Sequence, residues 1–377
     1  MTKTGYLRTQ PTGIYLTEMS RKLYFTPGPS ALYFTVEEHM RRALRQQIPS
    51  ISHRGKEFSN IYQHLDETLR QLVSLPDDYH IFFTSSATET WERLLQSLVV
   101  ENTLHLVNGA FSRRFYQIAG KLNYQSEKVE APEGEAVDPS TIPLDLAPEL
   151  IGVTHNETST GVQQPLQDLE YLREQFPSSL IAVDAVSSFP VVDLPFKLID
   201  SIYLSVQKCF GLPAGLGVWL VNQRVIDRAL SLAPTGRSSY HGIDTYVSNY
   251  KKFQTPSTPN VLTIYLLGQV IGDMLEKGLE KIRMESKYKS AILYHLLESK
   301  QAIKPFVTHQ PWRSETIIVA QSGDQTPVVM DALYQRGMVV GTGYGKFKQE
   351  HIRVANFPTH SKEQMEMLVD TLDLIVE

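Results

Sequence analysis

Cysteine is almost absent from this chain of 377 residues, in which Cys209 is the only one. A single thiol excludes an internal disulfide framework and any zinc site built from several cysteines. Long apolar runs are missing too, and none approaches the roughly 20 residues that a membrane-spanning helix needs. The first 20 residues lack the apolar core of a signal peptide. We therefore expect a cytoplasmic protein with no membrane-bound part.

Neither sign of charge dominates the sequence. The chain has 36 Lys and Arg against 41 Asp and Glu, a net charge of −5, and no long run of either sign. This balance gives no basic surface for nucleic acid and none for an anionic membrane. We expect the partner to be a small molecule or another protein subunit.

Short apolar runs alternate with longer helical patterns over the first two thirds of the chain. The runs include "YHIFF", "TLHLVN", "LIGVT", "LIAVDAV" and "SIYLSV". This alternation predicts βαβ units and a mainly parallel sheet with helices on both faces. From residue 261 to residue 299 the pattern is nearly continuous helix, followed by short strands and helices to the end. The sequence therefore predicts an α/β domain and a smaller C-terminal α+β domain, with the boundary near residue 265.

Ligands of open parallel sheets bind beyond the carboxyl ends of the strands. Four predicted strands each deliver a polar feature there. These features are a helix N-terminus at Ser86, a polar loop from His155 to Thr158, Asp184 after an apolar run, and Lys208 before a glycine-rich loop. A buried carboxylate needs a cationic or proton-donating partner, and a desolvated lysine becomes a nucleophile for carbonyl carbons.

Pyridoxal phosphate is the cofactor that uses all four features. Its phosphate suits a helix N-terminus, its aldehyde a lysine, and its pyridine nitrogen a carboxylate. Each feature alone has an ordinary explanation, such as a helix cap, a solvated loop or a surface lysine, but the combination is far more specific. The sequence has no GxxxxGK[ST] phosphate loop, and neither "GLPAGLG" nor "GTGYG" lies between a strand and a helix as a dinucleotide fingerprint requires.

An ordered series of motifs from residue 23 onward resembles the class V, fold-type I aminotransferases, and among them most of all the phosphoserine aminotransferases. The motifs are "YFTPGPSAL", "ISHRGKEF", "TSSATE", "NGAF", "HNETSTG", "AVDAVSS", "VQKCFGLPAGLG", "TPSTPN" and "IRVANF". The resemblance implies a large domain, residues 35–265, with a mainly parallel seven-stranded sheet between helices. It also implies an N-terminal arm, residues 1–34, associated with a small domain of residues 266–377, and a homodimer with the active site at the subunit interface.

The resemblance also assigns roles to individual residues. Lys208 would bond the cofactor aldehyde, Asp184 would face the pyridine nitrogen, and Arg353 would bind the substrate carboxylate. The remaining cofactor contacts would be Phe111 on the ring, Thr158 on the ring hydroxyl, and, on the phosphate, Ala87, Thr88 and Gln207 with Thr255 from the second subunit. No metal is implied.

The substrate is less tightly specified. His53 and Arg54 match the "SHR" that helps phosphoserine aminotransferases bind the substrate phosphate, although a structural pair near a helix is an alternative interpretation. The second His-Arg pair of those enzymes is missing, and "GYGKFKQEH" offers Lys346 and Lys348 in its place. The resemblance implies amino transfer between O-phospho-L-serine and 2-oxoglutarate, in serine biosynthesis.

Two alternatives remain open. "HNETSTGV" also resembles the alanine-glyoxylate and serine-glyoxylate aminotransferases, whose substrates carry no phosphate. A non-catalytic protein that binds pyridoxal phosphate is the alternative of another class. Retention of the lysine, the acid and the carboxylate-binding arginine together favours an enzyme.

Overall fold

The computed structural model describes residues 22–236 and 239–376. Its strands are β1 Leu23–Phe25, β2 His80–Thr84, β3 Asn102–Val107, β4 Gln125–Glu130, β5 Leu150–Thr154, β6 Asn156–Glu157, β7 Val162–Gln163, β8 Leu180–Asp184, β9 Ser201–Ser205, β10 Gly217–Val221, β11 Lys304–Pro305, β12 Ile317–Gln321, β13 Met338–Thr342 and β14 His351–Ala355. Its helices are α1 Val36–Arg45, α2 Lys56–Val73, α3 Ala87–Leu98, α4 Ala110–Lys121, α5 Gln167–Gln175, α6 Gln223–Leu232, α7 Ile243–Tyr250, α8 Val261–Lys277, α9 Leu279–Ser299, α10 Thr326–Gln335 and α11 Lys362–Ile375.

A seven-stranded sheet forms the centre of the larger part of the chain. Its strand order is β2-β10-β9-β8-β5-β3-β4, and among these strands β10 alone runs antiparallel to its neighbours. Every residue of β5, β8 and β9 is buried, as expected for parallel strands covered on both faces by helices. The predicted fold class, α/β with a mainly parallel seven-stranded sheet, is confirmed.

Helices pack apolar side chains onto both faces of this sheet. On one face, Ile151 and Ile181 belong to a core that also contains Leu266 of α8. On the other, Tyr203 and Trp219 pack with Trp91 of α3. The six strands that run in one direction therefore all end at the same edge of a rigid, two-sided core.

A smaller five-stranded sheet has the order β1-β13-β14-β12-β11. Strand β1, close to the beginning of the chain, pairs in parallel with β13, so that Leu23 lies opposite Met338. Residues 1–21 of the predicted N-terminal arm lie outside the described part. The predicted boundary near residue 265 falls inside α8, whose side chains as far as Met274 pack into the core of the large sheet.

The long helical pattern of residues 261–299 is two helices. Gly278 separates α8 from α9 and has a φ of 85°, a left-handed conformation that glycine adopts without steric cost. The prediction of nearly continuous helix over residues 261–299 is therefore confirmed, with a single break at Gly278.

Within residues 22–236 and 239–376, no helix combines the length and the apolar character that a membrane crossing requires. In the same part of the chain, no three His, Cys, Asp or Glu side chains are placed to hold a metal ion together.

Candidate active site

Lys208 lies just beyond the carboxyl end of β9 and is only 9% exposed. Its Nζ donates a hydrogen bond of 2.5 Å to the carbonyl oxygen of Pro27, in the segment that follows β1. A Cβ on Gly28 would collide with the Lys208 side chain, so the backbone approaches as closely as only glycine allows. Burial, with the positive charge of Arg353 as a second cause, lowers the pKa of Lys208 to about 8. A useful fraction of the amine is therefore neutral near physiological pH.

Asp184 is the last residue of β8 and is 4% exposed. Among the described residues, its carboxylate accepts one hydrogen bond, from Val186 N to Oδ1 at 3.0 Å. Burial raises the pKa of Asp184 to about 7, and the Glu157 carboxylate acts in the same direction while Lys208 opposes it. A buried acid with so few donors fits a cationic ring nitrogen as its partner.

The N-terminus of α3 lies at the same edge of the sheet, directly after β2. The Ser86 hydroxyl caps the helix by accepting a hydrogen bond from Glu89 N at 3.2 Å, as its spacing predicts. The Glu89 carboxylate bonds Ser85 N at 2.8 Å instead of the amide of the capping residue. Ala87 N points to Ser205 Oγ, 3.1 Å away. A helix N-terminus of this kind is suited to a phosphate.

Gln207 adds a buried polar atom to this edge, because its Oε1 has no hydrogen-bond partner among the described residues. Thr158 Oγ1 donates to Ser187 Oγ at 3.0 Å, in a buried polar network that also includes Asn156. Both side chains can exchange partners when a polar ligand binds. The set of donors and acceptors around Lys208 therefore fits pyridoxal phosphate.

Arg353, in β14, is largely buried and has no carboxylate partner in the described part of the chain. Its Nε donates to Thr342 O at 2.7 Å and its Nη1 to Thr158 O at 3.0 Å. Burial lowers the pKa of Arg353 to about 10, so it keeps its charge at neutral pH. An unpaired guanidinium held only by carbonyl oxygens is suited to a carboxylate ligand.

Tyr344 connects the Arg353 side of the site with Phe111, near the start of α4. The Arg353 guanidinium lies 5.3 Å from the centre of the Tyr344 ring, and the Tyr344 and Phe111 rings are also 5.3 Å apart. Arg114 Nη2 donates to the Tyr344 hydroxyl at 2.9 Å. Tyr344 was not among the predicted site residues, because its contacts with Arg353, Phe111 and Arg114 come from distant parts of the chain.

Two more predicted residues are associated with residues 249–257. Thr255 belongs to this segment, and Arg54 contacts it. The Arg54 guanidinium donates to Asn249 Oδ1 at 2.8 Å, to Gln254 Oε1 at 3.2 Å and to Pro256 O at 3.1 Å. Thr255 lines a cleft of about 390 Å³ that Ser85 also lines. No contact of Arg54 or Thr255 reaches Lys208 or Arg353 within the described residues.

The remaining predicted substrate residues are close to the surface. Burial, followed by the charge of Arg54, lowers the pKa of His53. Lys346 is exposed and its Nζ lies 3.1 Å from Glu133 Oε1. Lys348 is exposed as well. The structure thus brings Lys208, Asp184 and Arg353 together and leaves the two lysines at the rim.

Comparison with known proteins identifies the class of enzyme. The chain belongs to the class V aminotransferases, whose family model matches residues 25–347. It is therefore a transaminase, and use of pyridoxal phosphate is a general property of this family.

Among class V aminotransferases, this chain is similar in sequence to phosphoserine aminotransferases. A phosphoserine aminotransferase of Rhodococcus opacus is 30% identical over 333 residues, 86% of this chain and 87% of that protein. A crystal structure of a phosphoserine aminotransferase from Cytophaga hutchinsonii is 44% identical with a TM-score of 0.92, over 95% of this chain and 100% of the other. An alanine-glyoxylate aminotransferase from Nostoc, at 21% identity and a TM-score of 0.78 over 98% and 97% of the two chains, shares the fold.

Proposed function

We propose that this enzyme transfers an amino group between O-phospho-L-serine and 2-oxoglutarate, a step of serine biosynthesis. The observation that carries the proposal is that two predicted substrate cations, Arg353 and Arg54, bond only neutral oxygen acceptors among the described residues. A donor with a carboxylate and a phosphate would supply the missing negative charges. The likeness at 44% identity to a phosphoserine aminotransferase supports the same substrate class.

Pyridoxal phosphate would be held by the residues at the sheet edge. The amides of Ala87 and Thr88, with Gln207, would bind its phosphate, while Phe111 would cover the ring. Thr158 would bond the ring hydroxyl. When bound, the protonated cofactor ring withdraws electrons from the substrate Cα and so makes its proton removable.

Asp184 has the task of keeping that ring protonated. Its pKa of about 7 applies to the site without a cationic partner. A positive charge opposite the carboxylate favours the ionised form and lowers this pKa, so the acid is charged at neutral pH in the loaded enzyme. The attraction between the two opposite charges then offsets the cost of removing both groups from water.

Lys208 is the proton carrier. Its depressed pKa of about 8 leaves part of the amine neutral near physiological pH, so that Lys208 could take the proton from the substrate Cα and hold it as an ammonium for return. Pro27 O accepts a hydrogen bond from Nζ and so restricts the positions that the Lys208 amine can adopt. Arg353 holds the substrate carboxylate with its two-pronged guanidinium, which fixes the Cα–H bond relative to Lys208.

The phosphate of the donor carries close to two negative charges and needs several cations. We assign His53 and Arg54 to this end, acting across the interface of a homodimer in which Thr255 also reaches the partner's cofactor phosphate. Lys346 and Lys348 would supply further positive charge, and Lys346 would leave Glu133 to do so. Lysine binds phosphate as a point charge, without the geometry of a guanidinium.

Donor selectivity tests the proposal. We expect kcat/KM for O-phosphoserine to exceed that for serine and alanine by at least about tenfold, because each charge-assisted contact is worth roughly 1.5 to 3 kcal/mol. Arg54→Ala should remove this preference while sparing turnover of the unphosphorylated donors. Arg41→Ala, an exposed arginine paired with Glu37 on α1, is the matched control and should change neither rate.

The preferred pair of amino donor and keto-acid acceptor distinguishes the proposed function from the two alternatives. Higher kcat/KM for alanine or serine with glyoxylate than for O-phosphoserine with 2-oxoglutarate would contradict the proposal and favour the glyoxylate enzymes. A protein that binds pyridoxal phosphate but turns over none of these pairs would favour a non-catalytic role.

A further inference from the structure

Glu157 is a carboxylate with 0% exposure at the end of the two-residue strand β6, in the loop region that follows β5, and it is not among the residues assigned to cofactor or substrate. Its Oε2 accepts hydrogen bonds from Phe111 N at 3.1 Å and from Ser112 N at 3.0 Å. Its Oε1 accepts from Ser159 N at 3.0 Å and Ser159 Oγ at 2.6 Å. The two oxygens thus bind the first turn of α4 and the loop that carries Glu157 itself.

The fit around this carboxylate is tight. A Cβ on Gly109 would collide with the Glu157 side chain, so α4 can begin this close to the loop only because residue 109 is glycine. Ser159 Oγ also accepts a hydrogen bond from Ala110 N at 2.9 Å. The start of α4 and the loop therefore form one hydrogen-bonded unit.

Three site groups depend on this unit. The backbone amide of Phe111, the proposed ring-covering residue, bonds Glu157 directly. Thr158 is the next residue along the chain, and its carbonyl oxygen accepts the hydrogen bond from Arg353 Nη1. A displacement of Glu157 would consequently move the aromatic ring, the hydroxyl and the guanidinium relative to one another.

The charge of Glu157 also acts on the site. Burial lowers the pKa values of Lys208 and Arg353, and the Glu157 carboxylate opposes that effect at both groups. Its negative charge lies at the N-terminus of α4, where the helix dipole favours an anion.

We propose that Glu157 is a positioning residue that fixes Phe111, Thr158 and Arg353 in the arrangement that bound pyridoxal phosphate and substrate require. The inference rests on the proposed cofactor-dependent function, and it concerns a residue to which that function assigns no contact with cofactor or substrate.

Glu157→Gln is the sharpest perturbation because it preserves size. An amide NH₂ must replace one of the two carboxylate oxygens, and on either side it would face a backbone N–H that now has an acceptor. At least one backbone donor is left unpaired in a buried place, and two are, the amides of Phe111 and Ser112, if the NH₂ takes the Oε2 position. Either arrangement changes the local geometry. We expect the dissociation constant for pyridoxal phosphate to rise about tenfold and KM for the donor to rise by a similar factor.

Glu149→Gln is the matched control at the opposite end of β5. Glu149 Oε2 accepts from the amides of Val100, Glu101 and Asn102 at 2.8, 2.7 and 3.2 Å, far from the sheet edge that carries Lys208. This variant should lower the melting temperature of the cofactor-free protein as Glu157→Gln does, without changing cofactor affinity. Fluorescence titration of cofactor-free protein with pyridoxal phosphate gives the affinities, and thermal unfolding gives the stabilities.

The outcomes separate the two hypotheses. Unchanged cofactor affinity in Glu157→Gln, with only a lower melting temperature, would overturn the positioning role while leaving the proposed function intact. Failure of the unmodified protein to bind pyridoxal phosphate would overturn both. Should Glu157→Gln not fold, Ser159→Ala removes a single hydroxyl contact of the same unit; a rise of about threefold in the dissociation constant supports the role, and no rise refutes it.

Discussion

Replacement of Asp184 by asparagine should make the cofactor-free protein more stable and the enzyme nearly inactive. Asparagine has the same shape, and its side-chain oxygen can keep the hydrogen bond from Val186 N. The substitution removes only the negative charge, which is costly in a buried site without a cationic partner and necessary once the cofactor is bound.

The size of the effect follows from the pKa. Burial raises the pKa of Asp184 from 3.8 to about 7. Because the folded-state value is the higher one, the folded protein binds more protons than the unfolded chain between these two values, and stability is lost as pH rises from 3.8 to about 7. At about 1.4 kcal/mol per pKa unit, the full loss, reached above about pH 7, is about 4 kcal/mol, and more than half of it falls between about pH 5 and about pH 8.

Urea unfolding of the cofactor-free protein at about pH 5 and about pH 8 measures this difference. The unfolding free energy of Asp184→Asn should exceed that of the unmodified protein more at the higher pH, by roughly 2 to 3 kcal/mol. Asp138→Asn is the control, because this exposed aspartate caps a short helix and asparagine caps equally well. In the loaded enzyme, kcat of Asp184→Asn should fall by a factor on the order of 10².

Equal pH dependence in Asp184→Asn and the unmodified protein would refute the claim that this carboxylate is buried without a partner. Near-normal turnover would refute its role opposite the ring nitrogen. Loss of soluble protein at every pH would show that Asp184 serves the fold itself.

The other predictions concern the two cations at the centre of the site. Borohydride reduction in the presence of pyridoxal phosphate should attach the cofactor to Lys208, whose pKa of about 8 leaves part of the amine neutral and nucleophilic, and Lys208→Ala should give no adduct. Lys289 is the internal control, since it is also buried with a pKa of about 8 but bonds the carbonyls of Phe357 and His360; peptide mapping of the adduct to Lys289 would contradict the site. Arg353→Lys should raise KM for donor and acceptor about tenfold, with little change in cofactor affinity, because the charge remains and the bidentate fork is lost. Unchanged KM values would show that the substrate carboxylate binds elsewhere.

Local sequence patterns predicted most of the large sheet, because buried parallel strands are short apolar runs that stand out from their surroundings. Two strands were not predicted, for opposite reasons. β4, "QSEKVE", has no buried residue and therefore no apolar pattern. β10, "GVWLV", is fully buried, but it directly follows a glycine-rich loop, and no strand was predicted there.

The residues of the candidate site also fall into those that the sequence predicted and those that it did not. Lys208, Asp184 and the N-terminus of α3 follow strands, so the sequence alone predicts that they meet at one edge of the sheet. Glu157 also follows a strand, within the predicted polar loop from His155 to Thr158, but no local pattern singled it out there, and Tyr344 lies outside the large sheet. Their importance comes from contacts with α4, which strand position does not reveal.

The sequence by itself determined the fold class, the family and the residue types that each strand brings to the ligand edge, since these depend on local patterns and ordered motifs. Only the tertiary structure decided which distant groups touch. Lys208 bonds Pro27 across a separation of 181 residues, and Arg353 bonds Thr158 across 195. Such contacts depend on how β1 and β14 of the small sheet pack against the ends of the large one, and packing between distant segments leaves no periodic signal in the chain.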